Sequence, residues 1–171
     1  MNTPALWTAV ALLAVSATAQ TMAANPTGQF TITTTILSRT CTFDNETQTV
    51  ALENVETREF SDQSMKKPQT FDVNIHCDNG VSSVKIVPSG PADDTGDATA
   101  FKNQGDAANV ALRLQNAEGN VLTPDGNSSV TVTPEDGVGA YRFRVGYVAT
   151  QPGKVSAGGF SAAVTLRFAY D

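Results

Sequence analysis

The chain has 171 residues, of which 40% are hydrophobic, 7% aromatic and 16% charged, with 17 acidic and 11 basic side chains. One domain plus an appendage fits this length, because domains usually run ~100–200 residues. A formal charge of −6 and a pI near 4.6 exclude a phosphate-binding face and hence nucleic acid as a partner. Two cysteines and one histidine cannot assemble a four-cysteine, a two-cysteine two-histidine or a three-histidine metal site. A Ser-His-Asp triad would have to pass through His76 alone.

Met1 to Ala24 contain no charged side chain. The apolar run from Ala5 to Val15, followed by small residues, has the form of a secretory h-region and cleavage zone. Ala17-Thr18-Ala19 satisfies the small-x-small rule, and Ala23 and Ala24 offer further cleavage points. The n-region lacks Lys and Arg. A transmembrane anchor would need ~20 consecutive apolar residues, and this run is shorter and broken by Thr, Ser and Gln. Residues 1–23 therefore read as a signal peptide, and the mature chain as free of a transmembrane anchor. Export to an oxidising compartment then allows Cys41 and Cys77 to pair. The bridge would close a loop of roughly 36 residues, worth ~4 kcal/mol in loop-closure entropy.

The mature chain reads as strands throughout. Phe30 to Ile36 alternates apolar and β-branched polar residues. Thr49 to Leu52 is a short strand candidate. Phe71 to Cys77 alternates strictly, with Phe71, Val73, Ile75 and Cys77 on one face and His76 on the other. Val81 to Val87 follows, closed by Pro88-Ser-Gly-Pro91. Asp93 to Ala108 is rich in Asp, Gly, Asn and Ala and reads as a loop. Val110–Leu114 and Val121–Leu122 flank a hairpin connection, Gln115 to Asn120. Ser129 to Thr133 precedes a turn at Pro134–Gly137. Tyr141 to Val148 alternates again, Gln151 to Gly153 turns the chain, and Phe160 to Tyr170 places six residues at period two. Short strands with Gly and Pro punctuation, and no sustained 3.6-residue period after residue 25, indicate an all-β sandwich.

Little chemistry is offered by the remaining polar residues. His76 has only Asp72 and Asp78 near it in sequence and reads as a solvated strand histidine. Asp93-Asp-Thr-Gly-Asp97 lacks the distal Glu of a calcium loop and reads as a solvated loop. Asn45-Glu-Thr47 and Asn127-Ser-Ser129 match the glycosylation pattern, which arises often by chance. No catalytic residue, cofactor or metal is expected.

Both ends of the mature chain carry long apolar alternation, although termini usually fray. Such strands either belong to the monomer's own sandwich or are donated to a neighbour by strand addition. Here the sequence resembles the chaperone–usher (type 1-like) fimbrial subunits over the whole mature chain. The resemblance is carried by Cys41-Thr-Phe43, Val50-Ala-Leu52, Phe71 to Cys77, Val110 to Gly119, Phe143 to Thr150 and Ala157-Gly-Gly-Phe160. Gly158, fourteenth from the C-terminus, and the penultimate Tyr170 complete the pattern.

The resemblance implies an incomplete immunoglobulin-like β-sandwich lacking its last strand, with an N-terminal donor-strand extension at 24–36 and a pilin domain at 37–171. In such a subunit a periplasmic chaperone first fills the gap, and a neighbouring pilin subunit replaces it at the outer-membrane usher. Gly158, Phe160, Ala162, Val164, Leu166, Phe168 and Tyr170 would line or flank the acceptor groove. Phe30, Ile32, Thr34 and Ile36 would be the donated row. Thr34 stands where donor strands of the family usually carry glycine, which implies a wider acceptor groove or a shifted register, and selective docking. The implied function is a structural, non-enzymatic subunit of a surface fimbria that contributes to cell adhesion. A monomeric secreted carbohydrate-binding sandwich is the alternative.

Overall fold

The computed structural model describes residues 40–171. The signal peptide, its cleavage points and the row Phe30, Ile32, Thr34 and Ile36 lie outside the described residues. Nine strands occur among those described: β1 (Cys41–Phe43), β2 (Lys66–Cys77), β3 (Val84–Ser89), β4 (Phe101–Lys102), β5 (Val110–Gln115), β6 (Val121–Leu122), β7 (Val130–Val132), β8 (Val138–Ala149) and β9 (Thr165–Tyr170). The larger sheet has the order β1-β2-β8-β5-β4, with β6 also beside β5, and the smaller has the order β7-β3-β9. All the pairings are antiparallel. The only helical element among the described residues is a single 3-10 turn, Thr57–Glu59.

The long pair β2–β8 is the spine of the larger sheet. Its register sets Phe71 opposite Phe143 and Ile75 opposite Gly139. Period-two alternation therefore sends Phe71, Val73 and Ile75 inward together with Phe143 and Val145. From the facing sheet come Val84 and Ile86, and β5 adds Leu112 and Leu114. Ile75, Val84, Ile86, Leu114 and Phe143 are fully enclosed. On the solvent side of the same pair, Arg142 donates two hydrogen bonds to the Asp72 carboxylate, at 2.7 and 2.8 Å.

Cys41 and Cys77 are bonded to each other and sit directly opposite in the β1–β2 ladder, with Cα atoms 4.0 Å apart. At the same end the turn at Pro134–Gly137 forms as expected. Asp136 and Gly137 both adopt positive φ, and Glu135 and Val138 exchange two 2.9 Å backbone bonds, the geometry of a two-residue hairpin. A side chain at Gly137 would also bring its Cβ within 2.6 Å of the Cys77 carbonyl.

Four expectations need correction. Thr49–Leu52 is not a strand: Val50 and Leu52 are half-buried and alternate with exposed neighbours, yet the segment joins no ladder among the described residues. The strand expected at Val81–Val87 runs instead from Val84 through Pro88 to Ser89. Proline is tolerated there because its ring nitrogen, which cannot donate, faces a position that makes no ladder bond. The long C-terminal strand is regular only from Thr165, because β3 ends at Ser89 and residues 160–164 have no partner strand among the described residues. The Asp93–Ala108 loop contains β4 and is far from solvated at its start.

That last correction has a clear cause. Asp93 is buried, and its carboxylate accepts hydrogen bonds from the backbone N–H groups of Thr95, Gly96 and Asp97 and from the Thr95 hydroxyl. The Thr95 hydroxyl also meets that of Thr150 at 2.7 Å, and Asp97 is paired with Arg113 on β5. The run of small polar residues is thus a self-capped lid over Ala100, Ala111 and Val148. A buried carboxylate is tolerated when donors converge on it.

Candidate functional site

The candidate functional feature is a cleft of about 770 Å³ between the two sheets. Its floor is apolar: Phe71 and Val73 from β2, Leu112 from β5, and Val145 and Tyr147 from β8. One wall is the C-terminal segment, which contributes Phe160, Ala162, Val164, Leu166 and Phe168. The opposite wall is the irregular chain from Phe43 through Leu52, with Asp44, Asn45, Glu46, Thr47 and Gln48 forming a polar rim.

Why the cleft stays open follows from the ladder of β9. Among the described residues β9 has one neighbour, β3. The amide of Asp171 donates to the carbonyl of Ser83 at 3.2 Å, continuing a register in which Thr165 faces Ser89 and Ala169 faces Lys85. In an antiparallel pair, residues alternate between bonded and non-bonded positions. The odd-numbered residues of β9 therefore bond to β3. Leu166, Phe168 and Tyr170 point their N–H and C=O groups at the open edge. The side chains of Leu166 and Phe168 face the cleft, so apolar surface and backbone polar groups without a ladder partner among the described residues occur together. Such an edge is a template for another strand.

Upstream of β9 the wall is held by other means. The carbonyls of Ser161 and Gly159 accept from Gln104 and Ala107, at 2.7 and 3.0 Å. The amide of Ser161 donates to the Asn103 side chain at 2.9 Å. Phe160, Ala162 and Val164 keep facing inward, half-buried, without a regular strand beneath them. Gly158 is required here by close packing, since a Cβ would stand 2.5 Å from the Ala107 nitrogen. Gly158 is exposed and fixes the end of the wall; it does not line the cleft.

The structure brings Phe160, Ala162, Val164, Leu166 and Phe168 together in one row, as the alternation predicts. Tyr170 leaves the row: it is 40% exposed and lies beyond the cleft at the disulfide end. There Phe43 packs at a tilt against Phe168, with ring centroids 3.8 Å apart. Sequence reasoning missed the contributions of Phe43, Leu112 and Tyr147. Each lies on an inward position of its strand, which period two signals, but only the sheet pairing shows that they share one cleft. At the far end Tyr147 meets Phe160 edge-on at 4.7 Å and Phe60 at 6.4 Å. Burial pushes the Tyr147 phenol above its ordinary range.

His76 bonds to Asp44 at 2.9 Å, while Asp72 is taken by Arg142 and Asp78 by Thr40. The histidine thus ties the start of the rim to β2 and lies on the solvent face, as expected. Among the described residues no group of three or more His, Cys, Asp or Glu side chains could hold a metal ion.

A family model described as "Fimbrial protein" matches residues 29–171. The chain belongs to the fimbrial protein family. The type-1 fimbrial protein C chain of Escherichia coli is 35% identical over 130 residues, covering 72% of this chain and 71% of that one. The fold is that of solved pilus subunits. The P pilus rod subunit PapA has a TM-score of 0.65 at 20% identity, covering 77% of this chain and 99% of its own. A chaperone–usher pilus structure concerned with rod uncoiling has a TM-score of 0.64 at 18% identity, covering 88% and 99%. The protein is accordingly an immunoglobulin-like structural subunit of a cell-surface fimbria, not an enzyme.

Proposed function

We propose that this fimbrial subunit is joined to its neighbours by strand donation into the cleft between β9 and the Phe43–Leu52 segment. The observation that carries the reading is the coincidence of an apolar row with the backbone edge of Leu166, Phe168 and Tyr170, which is unpaired among the described residues. A strand laid there would complete the smaller sheet and cover the floor. Finishing the burial of two or three half-exposed side chains at ~1 kcal/mol each, together with a new ladder of backbone bonds, supports a durable joint.

In this reading residues 1–23 direct export and are removed. Residues 24–36 form the donor, with Phe30, Ile32, Thr34 and Ile36 facing the acceptor, and 37–171 form the pilin domain. A periplasmic chaperone covers the cleft before assembly, and an outer-membrane usher exchanges it for the neighbouring subunit. Expressing the mature chain without residues 24–36, with and without a cognate chaperone, tests this. The truncated chain should need either the chaperone or an added donor peptide to stay monomeric and folded. A truncated chain that is stable alone and ignores both would overturn the reading.

A further inference from the structure

The chain passes from the larger sheet to the smaller through a turn between β2 and β3 that contains Asp78, Asn79 and Gly80. One backbone bond closes it: the Val81 N–H donates to the Asp78 carbonyl at 3.3 Å, beyond the usual range. Gly80 has a φ of 98°, which glycine adopts without a steric penalty. Both Asn79 and Gly80 are exposed. The Gly80 N–H and the Asn79 side-chain amide make no hydrogen bond among the described residues.

Asn79-Gly80 is the single Asn-Gly step in the sequence. Glycine hinders attack on the preceding side chain least, because it has no Cβ. We infer that Asn79 is a site of spontaneous deamidation, at which the turn is converted to aspartate and isoaspartate without any enzyme. The Gly80 nitrogen gives its proton to solvent and attacks Cγ of Asn79. The N–Cγ bond forms, the Cγ–Nδ2 bond breaks, and Nδ2 takes up a proton and leaves as ammonia. Water then opens the cyclic imide. Opening at Cγ leaves aspartate; opening at the backbone carbonyl leaves isoaspartate, whose main chain runs through the side chain. Two further turns carry Asp125-Gly126 and Asp136-Gly137, but an ionised carboxylate has no comparable leaving group. Asp125 is also held by the Thr123 hydroxyl and the Asn127 N–H.

The position gives the change a structural consequence. Before the turn, Cys77 is bonded to Cys41, and the Asp78 carboxylate accepts from the Thr40 N–H and hydroxyl at 3.1 and 2.8 Å. After it, the Ser82 N–H donates to the Asp171 carbonyl at 2.8 Å and the Asp171 N–H to the Ser83 carbonyl at 3.2 Å, which fastens the end of β9. Isoaspartate inserts a methylene into the main chain between these two sets of bonds and shifts one against the other. Aspartate adds only a solvent-exposed charge.

The test uses the full mature chain, folded and disulfide-bonded, kept in warm and mildly alkaline buffer. Peptide mapping by mass spectrometry follows each asparagine, and labelling with protein isoaspartyl methyltransferase measures isoaspartate. Asn79 should convert about tenfold faster than Asn74, Asn120 and Asn127, which are also exposed, because the reaction waits only for one long hydrogen bond to open. Asn79→Gln, which would need a larger ring, should remove most of the label. In the isoaspartate form the Ser82 and Asp171 amides should lose about tenfold in hydrogen-exchange protection, and in the Asn79→Asp variant they should keep it. An Asn79 that converts no faster than the other three, or a label that survives Asn79→Gln, would overturn the site. Unchanged protection in the isoaspartate form would overturn its effect on the end of β9.

Discussion

Two sides of the sandwich are written in the same code and reach different ends. On the closed side, β2, β8 and β5 each have a neighbour on both edges, and Ile75, Leu114 and Phe143 are fully enclosed. On the open side, β9 has one neighbour among the described residues, and Leu166 and Phe168 remain half-buried although their alternation is as regular. The pattern specifies which face turns inward, and the number of neighbouring strands decides whether burial is completed. On the proposed strand donation, this unfinished burial is what a neighbour's strand completes.

Substitutions that move energy from one side to the other would break this comparison. Phe143→Ala removes an enclosed ring stacked on Phe71 at 5.3 Å and should cost about 3–5 kcal/mol in denaturant unfolding of the subunit. Phe168→Ala should cost the isolated subunit less than about 1 kcal/mol, because the ring is only partly covered, yet it should weaken assembly at least tenfold. If both positions behaved alike in both assays, the distinction would fail.

Cys41→Ser should cost about 2–4 kcal/mol by releasing the Cys41–Cys77 loop. The effect should appear in unfolding under non-reducing conditions and vanish when the wild type is reduced. Asp93→Ala should cost about 1–3 kcal/mol, since it strips the acceptor from three backbone donors in the lid over β5 and β8. It should leave assembly unchanged, because the lid lies on the outer face of the larger sheet.

The smallest effect concerns pH. The Ser64 hydroxyl and Lys66 lower the Asp62 carboxyl from 3.8 to about 2. A depressed carboxylate stabilises the fold above its unfolded value, and that contribution is lost as pH falls from about 4 toward 2. Asp62→Asn should therefore flatten this part of the acid-denaturation profile slightly and leave the slope near neutrality unchanged. A changed slope between pH 5 and 7 would show that another group is responsible.

The sandwich, the disulfide and the inward row Phe160 to Phe168 were legible because each depends on local alternation or on cysteine count. What was not legible depends on which strand lies next to which. Val50 and Leu52 look like strand residues, but the segment joins no ladder among the described residues and becomes a wall. Pro88 looks like a terminator, but it falls on a non-bonded position and is absorbed into β3. Asp93 looks solvated, because nothing local reveals that its own loop folds back to supply donors. Tyr147 sits at an inward position that period two identifies, yet its place in the cleft appears only when β5, β8 and the C-terminal segment are brought together.

The most direct test is amide hydrogen exchange resolved along β9, before and after assembly of the mature chain. Amides of Arg167 and Ala169, bonded to β3, should be protected in both states. Those of Leu166, Phe168 and Tyr170 should exchange freely in the unassembled subunit and become protected on assembly. Even-numbered amides that are already protected in the unassembled subunit, or that gain no protection on assembly, would contradict the account.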